Sequence, residues 1–415
     1  MRIFLKGKKG GSHPQGNKTR TSSLPIVPAT VPKELIYPLS MHIGAPADCC
    51  VKVGDSVKIG TLIGEAQGKI SARVHSSVSG VVKAIEQRET LNGPGQCIII
   101  ENDGKDTFEH SIGERELELT KENILDAVLN AGIAGMGGAA FPTEVKLGPP
   151  PGSNIDTLII NGAECEPYST SDHRVMLEYG DEILKGMEIS KNLYPNLKSI
   201  FIGIEDNKPD AIKVLSRICS KDPMVEIKVL SSLYPRGSEK NLIKALTNRE
   251  VPPGKLPADI RCVVMNVSTC RAVYRAVTFN EPLYERVVSV SGEPVNTPKN
   301  LLVRIGTPVE SLLEDCGGFR ENPDRILSGG PMMGKSLKSG EIPVVKGMTA
   351  ITVLRFKETM VEETTPCIMC GECLNVCPVN LQPVLISEAY LRGEIDKAKK
   401  LGAMDCILCG NCTYS

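Results

Sequence analysis

Two cysteine runs near the carboxyl-terminal end constrain this chain more than anything else in it. The first, CIMCGECLNVCP, places Cys367, Cys370, Cys373 and Cys377 ahead of Pro378, and the second, CILCGNC, places Cys406, Cys409 and Cys412 in the same rhythm. Thiolates at two-residue gaps wrap three corners of an iron–sulfur cubane, but so tight a loop cannot reach the fourth. In two-cluster folds the last Cys of a run, the one before Pro, crosses over to the other cluster. The spacing therefore predicts two 4Fe-4S clusters, with Cys377 completing the one held by Cys406, Cys409 and Cys412. By the same rule the cluster on Cys367, Cys370 and Cys373 expects a further Cys just past Ser415, so the chain reads as truncated there. Zinc competes for paired C-x2-C units, but seven Cys in two near-identical triplets over-supply a tetrahedral site. Disulfide frameworks belong to short secreted chains.

At 415 residues the chain is too long for one ordinary core, and a prior of about 150 residues per domain gives roughly three. Lys+Arg 48 against Asp+Glu 49 leaves a net charge of −1, so no global field steers it to nucleic acid or anionic lipid. Trp is absent and aromatics are 4%, which argues against stacking platforms for single-stranded nucleic acid. The cysteines outside the runs are irregular, Cys49 and Cys50 even adjacent, which fits a reducing compartment and small apolar packing roles. The start has no apolar h-region, and no stretch approaches the 18 or so apolar residues of a span. The expectation is a soluble protein that can dock on a membrane partner.

The pattern resolves into four domains and an arm. Residues 1–40, rich in Gly, Pro and Lys, read as an extended N-terminal arm whose basic stretch is solvated. Residues 41–110 alternate in short runs cut by Gly54, Gly60, Gly64, Gly68 and Gly80, the pattern of a small β-sandwich. Its V-K-V-G-D-S-V-K-I-G and V-S-G-V-V halves resemble a lipoyl-like barrel-sandwich hybrid, and Lys69 lacks the setting of a carrier lysine. Residues 115–283 alternate helices with unbroken apolar strands (DTLIIN, SIFIGI, VEIKVL, RCVVMNV), which implies a parallel sheet covered on both faces, a Rossmann-like α/β domain. Residues 284–350 return to a hairpin and a short helix, an order that resembles a β-grasp (SLBB-like) module. Residues 360–415 form the two-cluster, ferredoxin-like domain, with one helix at 383–401 between its ligand loops. The fold class is multidomain α/β and α+β.

In AGIAGMGGAAFPTEVKL, Gly135, Gly137 and Gly138 let backbone amides approach a ligand, and Pro142 sits where a helix would begin. A phosphate can rest at such a helix start, with Lys146 one turn on. No G-x-G-x-x-G fingerprint is present, so an ordinary dinucleotide fold is not indicated. NGAECEPYSTSDHR follows the first apolar strand and sets Asn161, Glu164, Glu166, Asp172 and Arg174 at its carboxyl end, where open α/β sheets bind ligands. Carboxylates at a buried strand tip need polar partners such as ribose hydroxyls. GGPMMGKS, Gly329 to Ser336, satisfies the P-loop pattern literally, yet Gly340 and Pro343 follow too soon for its helix.

On these residues the chain resembles the C subunit of the Rnf electron-transport complex: SMHIGAPA, VHSSVSGVV, GMGGAAFPTEVKL, NGAECEPYSTSDHRVM, NVSTCRAV and the doubled cysteine run occur in that family's order. The central domain is similar to the flavin- and NADH-binding subunit of respiratory complex I. The resemblance implies FMN on Gly135, Gly137, Gly138, Lys146, Asn161 and Glu164, with Asn266 and Thr269 below it. It implies NAD(H) with its adenine on Phe141 and its ribose and nicotinamide near Glu166 and Glu239, Glu164 and Glu166 being the candidate catalytic carboxylates. The chain departs from the complex I pattern at Ala163 and Ser238, where that relative carries acids. The implied role is a peripheral subunit on the cytoplasmic face of the bacterial membrane. There it passes electrons between NADH, FMN and two 4Fe-4S clusters, with the membrane subunits of the Rnf complex and ferredoxin as partners. A flavin-free adaptor and a soluble NADH dehydrogenase feeding a hydrogenase are the rival readings.

Overall fold

The helix Lys121–Asn130 starts where Thr120, in extended backbone, accepts a hydrogen bond from the Asn123 amide at 3.2 Å. It buries Ile124, Ala127 and Val128 and ends at a turn in which Gly132 takes φ 62°. A Cβ at Gly132 would lie 2.3 Å from the Arg73 carbonyl, so only glycine lets the helix pack this closely on the preceding sandwich. A computed structural model describes residues 10–360 and 365–415.

The sandwich pairs two antiparallel sheets. One holds Glu34–Pro38, Gly93–Asn102, Gly80–Thr90 and Ser56–Val57 in that spatial order, and the other Asp48–Cys49, Leu62–Glu65 and Val74–His75. Lys69 is exposed in the bend between the last two strands.

Behind it lies a four-stranded sheet of β1 (Thr157–Gly162), β2 (Ser199–Glu205), β3 (Val225–Leu230) and β4 (Cys262–Asn266), all parallel. Helices α1 (Ser171–Glu178), α2 (Gly180–Lys191), α3 (Pro209–Ile218), α4 (Glu239–Thr247) and α5 (Val267–Phe279) connect and cover them. Alternate side chains of β1 face opposite layers, as strand geometry demands. Leu158 and Ile160 join the core with Met187 of α2 and Val273 of α5, while Ile159 packs with Leu242 and Ile243 of α4. Helices α2 and α5 cross so closely that a Cβ on Gly186 would stand 2.1 Å from the Cys270 carbonyl. Gly186→Ala is accordingly expected to cost about 1–3 kcal/mol by overpacking, seen as a lower urea midpoint with an unchanged slope.

The spatial order is β3-β2-β1-β4. Chain direction of connection therefore reverses between β1 and β4, and their carboxyl ends flank the crevice where such sheets bind ligands. Asn161 and Asn266 are register partners there.

A six-stranded sheet follows, ordered Ile26–Pro28, Lys299–Arg304, Glu285–Gly292, Ala350–Leu354, Arg325–Ser328 and Lys335–Ser336. Residues Lys335–Ser336 of the P-loop look-alike form a short strand, not the start of a long helix. One apolar core runs unbroken from the sandwich (Ile98) through the parallel sheet (Ile160) to this sheet (Val288).

Three expectations change. From residue 10 on the expected arm is built into the fold, its residues 1–9 lying outside the described residues: Ile26–Pro28 is an edge strand parallel to Lys299–Arg304, Glu34–Pro38 belongs to the sandwich, and Lys18 is tied into the acidic loop described below. Unpaired backbone donors of two sheet edges, plus three carbonyls needing a cation, outweigh the arm's preference for water. The helix expected at 383–401 is two helices, Pro383–Leu391 and Ile395–Lys400, because Gly393 turns left-handed at φ 74°. The β-grasp sheet also runs past residue 350, since Ala350–Leu354 pairs parallel with Glu285–Gly292. Among the described residues no helix is long and apolar enough to cross a membrane.

Candidate functional site

The glycine-rich loop sits over the β1/β4 crevice and is closed on itself by a hydrogen bond from the Gly135 amide to the Phe141 carbonyl at 2.8 Å. The Met136 amide donates to Thr269 Oγ1 at 2.9 Å, which anchors the loop to the first turn of α5. A Cβ at Gly137 would press within 3.3 Å of the Asn266 side chain, whereas Gly138, at φ 117°, faces open space. Asn266 caps α5 by accepting from the Ser268 and Thr269 amides at 2.8 and 3.3 Å. Its own amide group donates to Asp172 at 2.6 Å, and Ser268 Oγ donates to the other Asp172 oxygen at 2.8 Å. Pro142 does precede a helix, Thr143–Leu147, but one of only five residues.

Glu164 adopts φ 49°, and its Oε1 accepts from the Asp172 amide at 2.8 Å and from Ser169 Oγ at 3.2 Å. Glu164 Oε2 is buried without a partner, as is Glu166 Oε1, while Glu166 Oε2 accepts from the Met332 amide at 3.2 Å. Beneath them Lys18 Nζ donates to the carbonyls of Glu164, Glu166 and Ser169 at 2.8, 2.8 and 2.6 Å. Asn161 donates to the Gly237 carbonyl at 2.8 Å, which holds the loop before α4 against β1. Lys146 and Glu239, assigned by the resemblance to different ligands, are ion-paired to each other across a half-exposed gap.

Burial, reinforced by the neighbouring Glu164 charge, pushes the Asp172 carboxyl from the ordinary 3.8 up to about 6. Burial likewise pushes Glu166 up and Lys18 down. Because the folded chain holds the Asp172 proton more tightly than the unfolded chain, this group's stabilisation is present at low pH and is lost as pH rises through about 6. Asp172→Asn is expected to flatten that part of the stability profile in urea titrations run at successive pH values.

The residues suit a flavin mononucleotide. Gly138 leaves a cradle that a side chain would fill, and Glu164 Oε2 is an acceptor with no donor, the partner a polyol hydroxyl would supply.

The two cysteine loops repeat one backbone. In each, the residue two after the first Cys is left-handed (Met369 φ 56°, Leu408 φ 54°) and its amide donates to that Cys Sγ at 3.4 Å. A left-handed Gly follows (Gly371 φ 80°, Gly410 φ 75°) and starts a short helix. Amides aimed at sulfur and a repeated wrap are what thiolate ligands of a cubane require. Among the described residues no three His, Cys, Asp or Glu side chains converge on a single-ion point, so the fit rests on loop conformation and donor chemistry. Cys377 is buried beside the second loop: Cys377, Cys412 and Cys406 all stand close enough to add to the burial that pushes the Cys409 thiol up.

Sequence reasoning missed Lys18, Tyr234, Arg286 and Lys346. Arg286 donates to the Met136 carbonyl at 3.2 Å and to the Lys346 carbonyl, and Lys346 Nζ donates to the Gly132 carbonyl at 2.6 Å. No local motif marks them, because each acts on a loop far away in the chain.

Comparison with known families assigns every one of these units. Residues 6–105 match the RnfC barrel sandwich hybrid domain, 128–275 the Nuo51 FMN-binding domain, 287–336 the SLBB domain and 359–415 a 4Fe-4S dicluster domain. Fold and site thus define a modular electron-transfer protein of the FMN and iron–sulfur class. The chain is 42% identical, over 96% of its length and 90% of the relative's, to the C subunit of the Na(+)-translocating ferredoxin:NAD(+) oxidoreductase complex of Acetobacterium woodii. It is 43% identical, over 92% of its length and 84% of the relative's, to the proton-translocating counterpart of Clostridium ljungdahlii. It belongs to the RnfC family, the C subunits of ion-translocating oxidoreductase complexes. In fold alone it is similar to an NAD+-reducing [NiFe]-hydrogenase in the H2-reduced state, with TM-score 0.51 and 18% identity over 71% of this chain and 60% of that one.

Proposed function

We propose that this chain is the NAD(H)-facing subunit of an ion-translocating ferredoxin:NAD oxidoreductase complex. It lies peripherally on the cytoplasmic face of the bacterial membrane and exchanges electrons through FMN and two 4Fe-4S clusters. The observation that supports this best is that one crevice carries the glycine cradle and two unpartnered carboxylate oxygens, while Tyr234, whose hydroxyl donates to the Cys409 carbonyl at 2.9 Å, ties the second cysteine loop to the same domain. Ion movement belongs to the membrane subunits of the complex, whose electron partner is ferredoxin.

FMN supplies the conversion between a two-electron hydride and single electrons. The protein binds and orients. The amides of Gly137 and Gly138 would be the ones left to face the flavin's polar tail, Thr269, which accepts from the Met136 amide, fixes the loop beneath with Asn266, and Glu164 Oε2 would accept from a hydroxyl. Phe141 would offer a ring for adenine, and Glu166, held largely out of water, would stand near the nicotinamide with its unpartnered Oε1 as an acceptor for the carboxamide.

Anaerobic protein mixed with FMN is expected to turn yellow and to bleach on addition of NADH. Failure to bind flavin would favour a non-catalytic adaptor. Phe141→Ala is expected to raise KM for NADH about tenfold, the loss of one stacked ring, with flavin content unchanged. An equal loss of FMN would place Phe141 elsewhere.

A further inference from the structure

The hairpin that carries the P-loop look-alike has its donors committed within the chain. Strands Arg325–Ser328 and Lys335–Ser336 pair antiparallel, with Ser328 opposite Lys335, so residues 329–334 form the tip between them. A phosphate-binding loop needs free amides and a free lysine. Here the Gly329 amide donates to the Ala350 carbonyl at 2.7 Å and the Gly334 amide to the Gly330 carbonyl at 2.9 Å, while Lys335 Nζ donates to Asn92 of the sandwich at 2.7 Å. The Met332 amide donates to Glu166 Oε2 at 3.2 Å, and the Met333 amide adds a second contact to the same carboxyl. The tip thus receives a carboxyl group of its own chain in place of a phosphate.

The contact is too close for any residue but glycine. A Cβ on Gly330 would overlap Glu166 Oε2 and would stand 2.9 Å from both the Glu166 Cβ and the Pro167 carbonyl. Swinging the carboxyl aside relieves the first of these overlaps and neither of the others, so the acidic loop itself would have to move. Behind the tip the two units pack together. Tyr168, two residues after Glu166, is buried with Leu327 and Leu354 of the six-stranded sheet, and Thr352 Oγ1 donates to the Gly329 carbonyl at 2.8 Å. Lys18 holds the main chain of the acidic loop, and the hairpin holds its side chain. With Oε2 so engaged, Oε1 is the Glu166 oxygen left without a donor.

Resting on the function proposed above, we propose that the Gly329–Gly334 hairpin belongs to the dinucleotide site: it fixes the Glu166 carboxyl through one oxygen so that the other is presented, already oriented, to the carboxamide of NAD(H). Gly330 and the Met332 amide are positioning groups that act through Glu166. The SLBB module thereby shapes substrate binding in a crevice built by the parallel-sheet domain.

The test follows NADH oxidation by anaerobic, FMN-loaded protein with ferricyanide as acceptor. Gly330→Ala is expected to raise KM for NADH about tenfold, the worth of one well-aimed hydrogen bond. Its kcat and flavin content should stay unchanged, because an interaction shared by bound substrate and transition state shows in KM alone. Glu166→Ala should raise KM to a similar degree. Gly330→Ala added to it should change KM by less than about twofold, since a group acting only through Glu166 has nothing left to position. Additive losses, or a Gly330→Ala protein with unchanged KM, overturn the proposal. Should Gly330→Ala misfold, hydrogen exchange on Glu166→Ala decides: the Met332 amide is expected to lose protection with its acceptor gone, and unchanged protection contradicts the proposal. An unchanged KM in Glu166→Ala would remove Glu166 from the dinucleotide site and the proposal with it. A parent whose flavin NADH does not bleach would overturn the underlying function itself.

Discussion

Cys377→Ala is expected to destroy the cluster of the other loop. Iron and acid-labile sulfide should each fall by about four atoms per chain, and the EPR signal that disappears should be the one also lost in Cys406→Ala. The reason is geometric. Cys377 follows the short helix Glu372–Val376, which carries it away from Cys367 and Cys370 and buries it beside Cys409 and Cys412. There the Leu381 amide donates to its sulfur at 3.2 Å, and Asn411 holds the preceding carbonyl. Loss of the Cys367-loop signal instead would mean that each run closes its own cluster.

The largest effect on stability is expected at Arg286. Its guanidinium is 1% exposed, donates to the Met136 and Val287 carbonyls at 3.2 Å each and to the Lys346 carbonyl, and has Asp172 as its opposite charge. Burial pushes it down to about 10, so it remains a cation at neutral pH. Arg286→Met keeps the volume but strips the donors and the counter-charge, leaving Asp172 and Glu164 to repel each other across a dry site. Leaving the buried Met136, Val287 and Lys346 carbonyls without this donor costs about 1–3 kcal/mol for each group left unsatisfied, which should appear as a sharply lower urea midpoint. Since the Met136 carbonyl belongs to the glycine-rich loop, FMN affinity measured by fluorescence quenching should weaken too. A variant with unchanged midpoint and unchanged FMN affinity would remove Arg286 from this account.

What could be read in the sequence was local. Ligand spacing writes the cysteine loops into seven residues at a time, and the left-handed Met369, Gly371, Leu408 and Gly410 show why that spacing suffices. The parallel sheet was legible because strands buried on both faces must be apolar throughout, as Ile159 and Ile160 are. The interlocking was not. Lys18 reaches carbonyls almost 150 residues away, Arg286 reaches Met136, and Tyr234 reaches Cys409; a single Lys, Arg or Tyr carries no periodic or spacing signal of such a contact. The split of the 383–401 helix was visible as Gly393, but the helix-forming run of Lys and Ala after it masked the break.

The central claim is that reducing equivalents from NADH enter this one polypeptide and appear on its iron. Adding NADH to anaerobic, FMN-loaded protein while following flavin absorbance and cluster EPR together tests it most directly. The account predicts reduced-cluster signals that grow after the flavin bleaches. Flavin that bleaches while every cluster stays oxidised, or protein whose metal proves to be zinc, would contradict it.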